Sequence, residues 1–356
     1  MKIGILGTRG IPNRYGGFEE FAEQVSLIWS KVGHEVYVYC MDIPESQRIS
    51  INNSKVKQIY VQSPKLGPLE QIIYDYKCTK HAVNSKLDII YHAGYQSSVL
   101  GNMFFKKKLK GRLVYNMDGL EWKRSKYNYL TRKLTKYFER LAVNSGALLI
   151  SDNKGIKDYL NREYGKESYL IEYGAIKYSG EAKVVSQLPE NFDLTIARFE
   201  PENNILNIIN CYINSNRNIV IVANDDTQFY NKHKHILHSR NNIIFLGPIY
   251  NKAELAFLRS NCEFYIHGHS VGGTNPSLLE AMISGVKILA NDNEFNRDVL
   301  GNFGEYWKTD DELLKLITQI DRVDKNQEQI NYCFSRYSWD TIAEKHINIF
   351  NSLLSK

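Results

Sequence analysis

The chain has 356 residues, of which 43% are hydrophobic and 24% charged, proportions that fit a globular protein of about two domains and exclude a disordered chain. The net charge of +6 is too modest to indicate a nucleic-acid partner, although clustered cations would suit phosphate groups or anionic lipid. The five cysteines are scattered and form no Cys-x-x-Cys pair, which argues against a disulfide framework or a zinc site.

The N-terminus and the hydropathy of the chain predict neither export nor membrane insertion. The apolar run that follows Lys2 ends at Thr8 and is too short for a signal peptide. No uncharged apolar run approaches the roughly 20 residues that span a bilayer. We therefore expect a cytoplasmic protein that is either free or peripheral on the inner face of the cell membrane.

In the first half of the chain, short apolar runs alternate with amphipathic stretches. Helices are predicted at Gly17–Trp29 and Leu69–Val83. Strands are predicted at Lys2–Leu6, Glu35–Cys40, Asp88–Tyr91, Leu113–Asn116 and Ala147–Ile150. This alternation is typical of a parallel sheet covered by helices on both faces.

The alternation resumes after a polar stretch, Tyr178–Glu181, which predicts a linker. Strands are predicted at Leu194–Ala197, Ile219–Ala223, Ile243–Leu246, Phe264–Ile266 and Val286–Leu289, with helices near Ile205–Tyr212, Lys252–Arg259 and Pro276–Ile283. Two such arrays predict two doubly wound α/β domains, over residues 1–174 and 189–335. A last helix is predicted to begin after Ser338, whose side chain suits an N-cap.

The first strand leads into a glycine-rich turn, Gly7–Gly17, that contains Arg9 and Arg14. Glycines let the backbone approach a ligand closely, and free amides at a helix start favour phosphate. A surface turn is one alternative. A dinucleotide-binding loop is another, which Asp42 favours, but the spacing is not Gly-x-Gly-x-x-Gly.

Arg198 stands at the end of the first strand of the second array. Open α/β sheets bind ligands at the carboxyl ends of their strands, and a guanidinium suits a diphosphate. The alternative is a salt bridge to Glu200 or Glu202.

The segment His267–Met282 follows a predicted strand and enters a helix at Pro276, a favoured first-turn residue. Backbone amides around Gly272–Asn275 could hold a phosphate, and Glu280 could accept hydrogen bonds from a ribose. An ordinary exposed glutamate is the alternative interpretation.

These segments resemble a known family. Pro276–Val286 resembles the nucleotide-binding segment of the retaining GT-B glycosyltransferases of family 4, and Ala197–Asn203 resembles the phosphate-binding strand end of the same family. Three other segments resemble a narrower bacterial subgroup, which contains the rhamnosyltransferases of capsule and cell-surface polysaccharide synthesis. These segments are Gly7–Pro12, Tyr15–Glu19 and Asn116–Arg124. The motifs follow the family's order over nearly the whole chain.

The resemblance implies a GT-B fold, in which two Rossmann-like doubly wound domains face a central cleft. It implies that a helix over about 339–356 packs back on the first domain. It implies no metal and no cofactor. The residues expected to bind the donor are Arg198, Gly272, Gly273, Thr274, Asn275 and Glu280, together with Gly16 and Gly17 of the first domain.

Two positions depart from the family pattern. Gly272 stands where the family usually has an acidic residue, eight positions before Glu280. Asn203 stands where it usually has a lysine, five positions after Arg198. We interpret both as specialisation. His269 is a candidate substitute near the sugar, with a structural turn histidine as the alternative.

The resemblance also places catalytic candidates in the first domain. His92, at a strand end, could bond the reacting sugar or its phosphate, or could be a packed histidine. Asp118 or Glu121 could orient or deprotonate the acceptor hydroxyl, or these two carboxylates could cap the next helix.

Cations cluster at Lys106–Lys110 and again between Lys123 and Arg140. Arg132, Lys136 and Arg140 fall on one helical face, opposite Leu130, Leu134 and Leu141. This pattern predicts either a solvated surface or docking on an anionic membrane, where each cation contributes on the order of 1 kcal/mol.

The subgroup resemblance implies transfer of L-rhamnose from dTDP-L-rhamnose to a polyprenyl-diphosphate-linked sugar, with retention. Four alternatives remain: transfer from another nucleotide sugar such as a UDP-hexose, a nucleotide-sugar epimerase, an NAD-dependent oxidoreductase, and a non-catalytic assembly scaffold.

Overall fold

A computed structural model of the chain describes residues 1–14, 16–51, 53, 55–67, 69–123, 127–320 and 325–355. Tyr15, Arg124 and Lys126, which belong to segments named above, lie outside these residues. The chain divides into two compact units. The first comprises Met1–Trp122, Tyr129–Gly174 and Trp339–Lys356, and the second contains Ala175–Ser338.

The first unit is built on a parallel sheet. Its strands in the described residues are β1 (Lys2–Leu6), β2 (Glu35–Met41), β3 (Val56–Val61), β4 (Ile89–His92), β5 (Leu113–Met117), β6 (Leu148–Ser151) and β7 (Tyr169–Leu170). They lie in the order β3-β2-β1-β4-β5-β6-β7. In the register, Ile3 of β1 is opposite Val36 on one side and Ile89 on the other. These central strands are apolar runs because helices cover both faces of the sheet.

Helices connect these strands. They are α1 (Gly17–Lys31), α2 (Leu69–Asn84), α3 (Val99–Phe104), α4 (Lys106–Leu109), α5 (Tyr129–Val143) and α6 (Lys154–Tyr164). Helix α6 has the usual capping residue at each end: the side chain of Asn153 caps its start, and Gly165 ends it in the left-handed conformation.

The second unit repeats this architecture. Its strands are β8 (Asp193–Ile196), β9 (Ile219–Val222), β10 (Ile243–Gly247), β11 (Phe264–His267), β12 (Lys287–Asn291) and β13 (Gly304–Trp307), in the order β10-β9-β8-β11-β12-β13. Its helices are α7 (Ile205–Ile213), α8 (Gln228–His233), α9 (Lys252–Asn261), α10 (Pro276–Ser284), α11 (Glu294–Leu300), α12 (Asp310–Gln319) and α13 (Gln327–Tyr337).

The last helix, α14 (Trp339–Leu354), belongs to the first unit. The indole of Trp29 in α1 donates to the carbonyl of Ala343 at 3.0 Å. Trp339 and Phe350 lie in the same buried cluster as Trp29, and Lys345 pairs with Glu172 at 2.9 Å. The chain therefore completes the core of its first unit with its last helix.

The predicted α/β fold class of two doubly wound sheets is confirmed. The strands that sequence patterns missed, β3, β7 and β13, all lie at sheet edges. Edge strands carry fewer buried side chains, so they lack the continuous apolar run that reveals a central strand. Among the described residues, no helix has both the length and the apolar character needed to cross a bilayer.

Candidate functional site

Each sheet has one point where the strand order reverses, and open α/β sheets bind ligands beyond the strand ends at such a point. In the second sheet this point lies between β8 and β11. The chain after β8 contains Arg198, and the chain after β11 contains Gly268–Asn275. The fold thus brings the two predicted donor-binding segments to adjacent strand ends.

The backbone around Arg198 is fixed while its side chain is exposed. The amide of Asn203 donates to the carbonyl of Arg198 at 2.8 Å, and the N–H of Phe199 donates to the side chain of Asn224 at 2.8 Å. Asn203 is buried. The departure from the family's lysine therefore has a structural account, because the Asn203 amide holds the loop that presents Arg198.

Hydrogen bonds join the loop after β11 to the loop after β8. The amide of Asn204 donates to the carbonyl of Gly268 at 2.8 Å, and Ser270 donates both its N–H and its hydroxyl to the carbonyl of Glu202 at 2.9 and 2.8 Å. A Cβ at Gly268 would overlap the carbonyl oxygen of Asn203, so this close approach requires glycine. The two loops therefore form one hydrogen-bonded platform.

The turn before α10 has a glycine-specific backbone. Gly272 has a φ of +134°, and no atom lies within 4 Å of the position of a Cβ there. Thr274 is buried, and the side chain of Asn275 caps α10 by accepting from the N–H of Ser277 at 3.0 Å. An acidic residue at position 272 would find space but would strain the backbone, which accounts for the second departure from the family pattern.

We predict that Gly272→Ala lowers the free energy of unfolding by about 1–3 kcal/mol, the cost of holding an L-residue in such a conformation. Gly272→Glu, which introduces the family's usual acid, should show the same loss. Urea unfolding measures both. Gly119→Ala is the matched control, because Gly119 has no positive φ and no neighbour within 4 Å. Equal stability of Gly272→Ala and wild type would contradict the strain.

Glu280 of α10 forms a salt bridge to Arg259 of α9. The glutamate side chain is 43% exposed, whereas the arginine side chain is only 8% exposed. The carboxylate that is predicted to accept hydrogen bonds from the ribose is therefore partly exposed and paired with a cation. Its contact to Arg259 uses Oε2 and fixes the direction of the carboxylate.

Two histidines stack at the end of β11. The rings of His267 and His269 lie 4.4 Å apart, with planes inclined by 10°. Burial, and then the neighbouring His269, lower the pKa of His267 well below its usual value, so this ring stays neutral. The carbonyl of His269 accepts from the amides of Asn293 and Asn296, both at 3.0 Å.

Asn293 and Asn296 were missed by the sequence interpretation. They follow β12, the next strand of the sheet, and hold the loop after β11 in place. The sequence pattern that could have revealed them is the mostly polar run Asn291–Asn296, which comes shortly after a predicted buried strand.

The corresponding loop of the first unit, Gly7–Gly17, does not offer all of its amides to a ligand. The N–H of Arg9 donates to Glu19 at 2.8 Å, and the N–H of Asn13 donates to Glu23 at 2.6 Å. The N–H of Gly16 donates to the side chain of Asn13 at 3.2 Å. Two carboxylates of α1 and the side chain of Asn13 therefore occupy these three donors, so the amides of Arg9, Asn13 and Gly16 are not available to a phosphate.

Two further details define this loop. The carbonyl of Gly17 accepts from the Tyr173 hydroxyl at 2.9 Å, so the start of α1 is anchored. Asp42, which a dinucleotide site would direct to a ribose, pairs with Arg48 at 2.7 Å.

His92 ends β4 but is fully buried. Its Nε2 lies 3.4 Å from the Thr79 hydroxyl, which in turn donates to Asn102 at 2.7 Å. Burial lowers the pKa of His92 to about 3, so the ring is neutral. This geometry is that of a packed strand-end histidine, and in it neither ring nitrogen is exposed to a substrate.

Asp118 and Glu121 follow β5 and are both partly exposed. A Cβ on Gly94, in the loop after β4, would lie 3.6 Å from Asp118 Oδ1, so the carboxylate stands at the strand-order reversal of the first sheet. The buried Tyr95 donates to the carbonyl of Gly119 at 3.3 Å and thereby holds this segment. Burial, and then the charges of Glu139, Asp118 and Glu121, raise the pKa of Tyr95 far above its usual value.

Two family models match the chain. Residues 1–176 match the one described as a domain of unknown function, DUF1972, and residues 181–337 match the one described as glycosyl transferases group 1. Among curated proteins, no sequence matches the chain at the required significance.

Solved structures resemble the whole chain at low sequence identity. Sucrose-phosphate synthase from Thermosynechococcus elongatus is 15% identical, with a TM-score of 0.82 over 99% of both chains. HepE of Anabaena in complex with UDP-glucose is 16% identical, with a TM-score of 0.73 over 99% of this chain and 100% of that one. A UDP-forming α,α-trehalose-phosphate synthase from Burkholderia vietnamiensis is 10% identical, with a TM-score of 0.69 over 99% of both chains. These likenesses show the fold, which is GT-B.

Proposed function

We propose that the chain is a GT-B glycosyltransferase whose second half is a group 1 domain and whose first half is DUF1972, and that it transfers a sugar, with retention, from a nucleotide sugar to a lipid-linked saccharide. The proposed donor is dTDP-L-rhamnose, and the proposed acceptor is a polyprenyl-diphosphate-linked sugar of surface polysaccharide synthesis. The observation that carries the assignment of the donor site is the platform of the two joined loops after β8 and β11, because these loops contain the exposed Arg198 and the glycine turn at adjacent strand ends.

The second unit binds the donor in this proposal. Arg198 and the amides of Gly272, Gly273 and Thr274 bind the diphosphate, while Glu280 accepts from the ribose hydroxyls. As the bond between the anomeric carbon and the diphosphate breaks, negative charge grows on the leaving group. Oriented amides and a guanidinium stabilise that charge without having to reorganise.

The first unit binds the acceptor. The hydroxyl oxygen of the acceptor attacks the anomeric carbon of the donor sugar from the same face that the diphosphate leaves. The configuration at that carbon is therefore retained without a protein nucleophile. Asp118 or Glu121 orients this hydroxyl or takes its proton. Gly16 and Gly17, at the start of α1, remain proposed backbone contacts to the reacting sugar.

A donor panel tests this function. The panel comprises dTDP-rhamnose, UDP-glucose, UDP-galactose, UDP-N-acetylglucosamine and GDP-mannose, each with and without a lipid-diphosphate-sugar acceptor, in the presence of chelator. We expect product from dTDP-rhamnose only when the acceptor is present. Turnover of a donor alone would instead identify an epimerase, and nucleotide binding without any product would identify a scaffold.

UDP-glucose is the second candidate donor. It is favoured by the similar HepE structure, which is described in complex with UDP-glucose, and by the similar synthase described as UDP-forming. Transfer from UDP-glucose and not from dTDP-rhamnose would keep the reaction class and discard rhamnose.

A further inference from the structure

Helix α5 does not bury the leucine face that lies opposite its cations in the sequence. The helix buries Thr135, Phe138, Glu139, Ala142 and Val143. Two leucines are exposed instead, Leu130 at 75% and Leu134 at 51%. Tyr129 and Tyr137 are exposed as well. A water-soluble helix normally turns such residues inward, so this face is suited to contact something other than water.

The cations expected to face outward are partly engaged within the unit. Lys136 pairs with Glu139 at 3.0 Å and with Glu163 at 3.2 Å, and its ammonium lies 4.6 Å from the centre of the Trp122 ring. Lys136 is therefore part of the fold. Lys133, by contrast, is exposed and lies 4.5 Å from the centre of the exposed Tyr129 ring.

Helix α3 packs beside α5 and also exposes apolar side chains. Phe104, at the end of α3, is 80% exposed, and Met103 is exposed next to it. Lys106, Lys107 and Lys108 of α4 follow directly. In the part of the chain that the structure describes, Lys106, Lys107 and Lys133 have no carboxylate within ion-pair distance. We call the exposed side chains of α3, α4 and α5 the basic apolar surface.

The helices that carry this surface are strongly basic. Helices α3, α4 and α5 contain seven lysines and arginines and one carboxylate, Glu139, which is buried. Their net charge of +6 equals that of the whole chain, so the remainder of the sequence is neutral. The charge and the exposed apolar side chains therefore coincide on one part of the first unit.

We propose that the basic apolar surface docks on an anionic lipid bilayer. Leucine, phenylalanine and tyrosine side chains would enter the interface while the lysines contact lipid phosphates, the combination that holds peripheral proteins on membranes. A second copy packed on the same face would bring like charges together, which disfavours a dimer. This inference goes beyond the proposed transfer, since it depends on neither donor nor acceptor.

Flotation with vesicles tests the docking without any turnover. The full-length protein is expected to bind phosphatidylcholine vesicles that contain phosphatidylglycerol, and not pure phosphatidylcholine vesicles. Leu130→Ser with Leu134→Ser should weaken binding at least about ten-fold. Lys106→Glu with Lys107→Glu should weaken it at least about 20-fold at about 0.1 M salt, and by less at about 1 M, where the Debye length falls to about 3 Å.

Matched controls lie in the second unit. Lys232→Glu with Lys234→Glu makes the same charge change, and Tyr250→Ser removes a comparably exposed apolar side chain; both variants should bind like wild type. Unchanged thermal unfolding of the surface variants shows that the fold is intact. Absence of vesicle binding, or equal binding by all variants, would overturn the proposal. A dimer in light scattering that Leu130→Ser with Leu134→Ser dissociates would assign the surface to a second copy instead.

Discussion

Arg198→Ala is expected to lower kcat/KM by about 10²–10³-fold, the usual effect of removing one group that stabilises developing negative charge. The side chain is exposed, while the backbone on either side is held by Asn203 and Asn224. The substitution therefore removes a charge from the proposed diphosphate site and leaves the loop in place. Steady-state kinetics with the active donor measures the effect.

Two further variants sharpen this test. Arg198→Lys keeps the charge but loses the planar fork, so it should recover only part of the activity if the diphosphate is bound bidentately. Arg240→Ala removes an exposed arginine from another loop of the same unit and should be fully active. Full activity of Arg198→Ala, with an unchanged melting temperature, would remove Arg198 from the donor site.

Glu280→Ala is expected to lower kcat/KM by about 10–100-fold, because a hydrogen bond to a charged group contributes about 1.5–3 kcal/mol. The same substitution should also cost about 1–3 kcal/mol of stability, because it leaves the largely buried guanidinium of Arg259 without its carboxylate. Glu280→Gln keeps an acceptor of the same shape, so it should be more stable and more active than Glu280→Ala.

Arg259→Met separates these two effects. It removes the same salt bridge but leaves the carboxylate, so it should lose stability while retaining most of the activity. Urea unfolding and donor kinetics are compared across the three variants. If Arg259→Met and Glu280→Ala lose activity equally and Glu280→Gln loses none, then Glu280 supports the fold and does not bind the ribose.

Local patterns in the sequence were sufficient to predict the two parallel sheets and the positions of the loops that follow β8 and β11. Central strands such as β4 and β11 are covered on both faces, so each is visible as a continuous apolar run. A polar residue directly after such a run, as at Arg198, lies at the carboxyl end of a strand, where open α/β sheets bind ligands. Both features depend only on residues close together in the chain.

Contacts between distant residues decided the rest. Glu280 meets Arg259 only because α9 and α10 pack together, and Glu19 and Glu23 fill the amides of the first turn only because α1 folds back along it. The periodicity of α5 separated a leucine face from a cationic face but did not reveal that the core would take a third face between them. Leu130 and Leu134 are exposed because α5 packs through Phe138, Ala142 and Val143, and that choice is made by the surrounding tertiary structure.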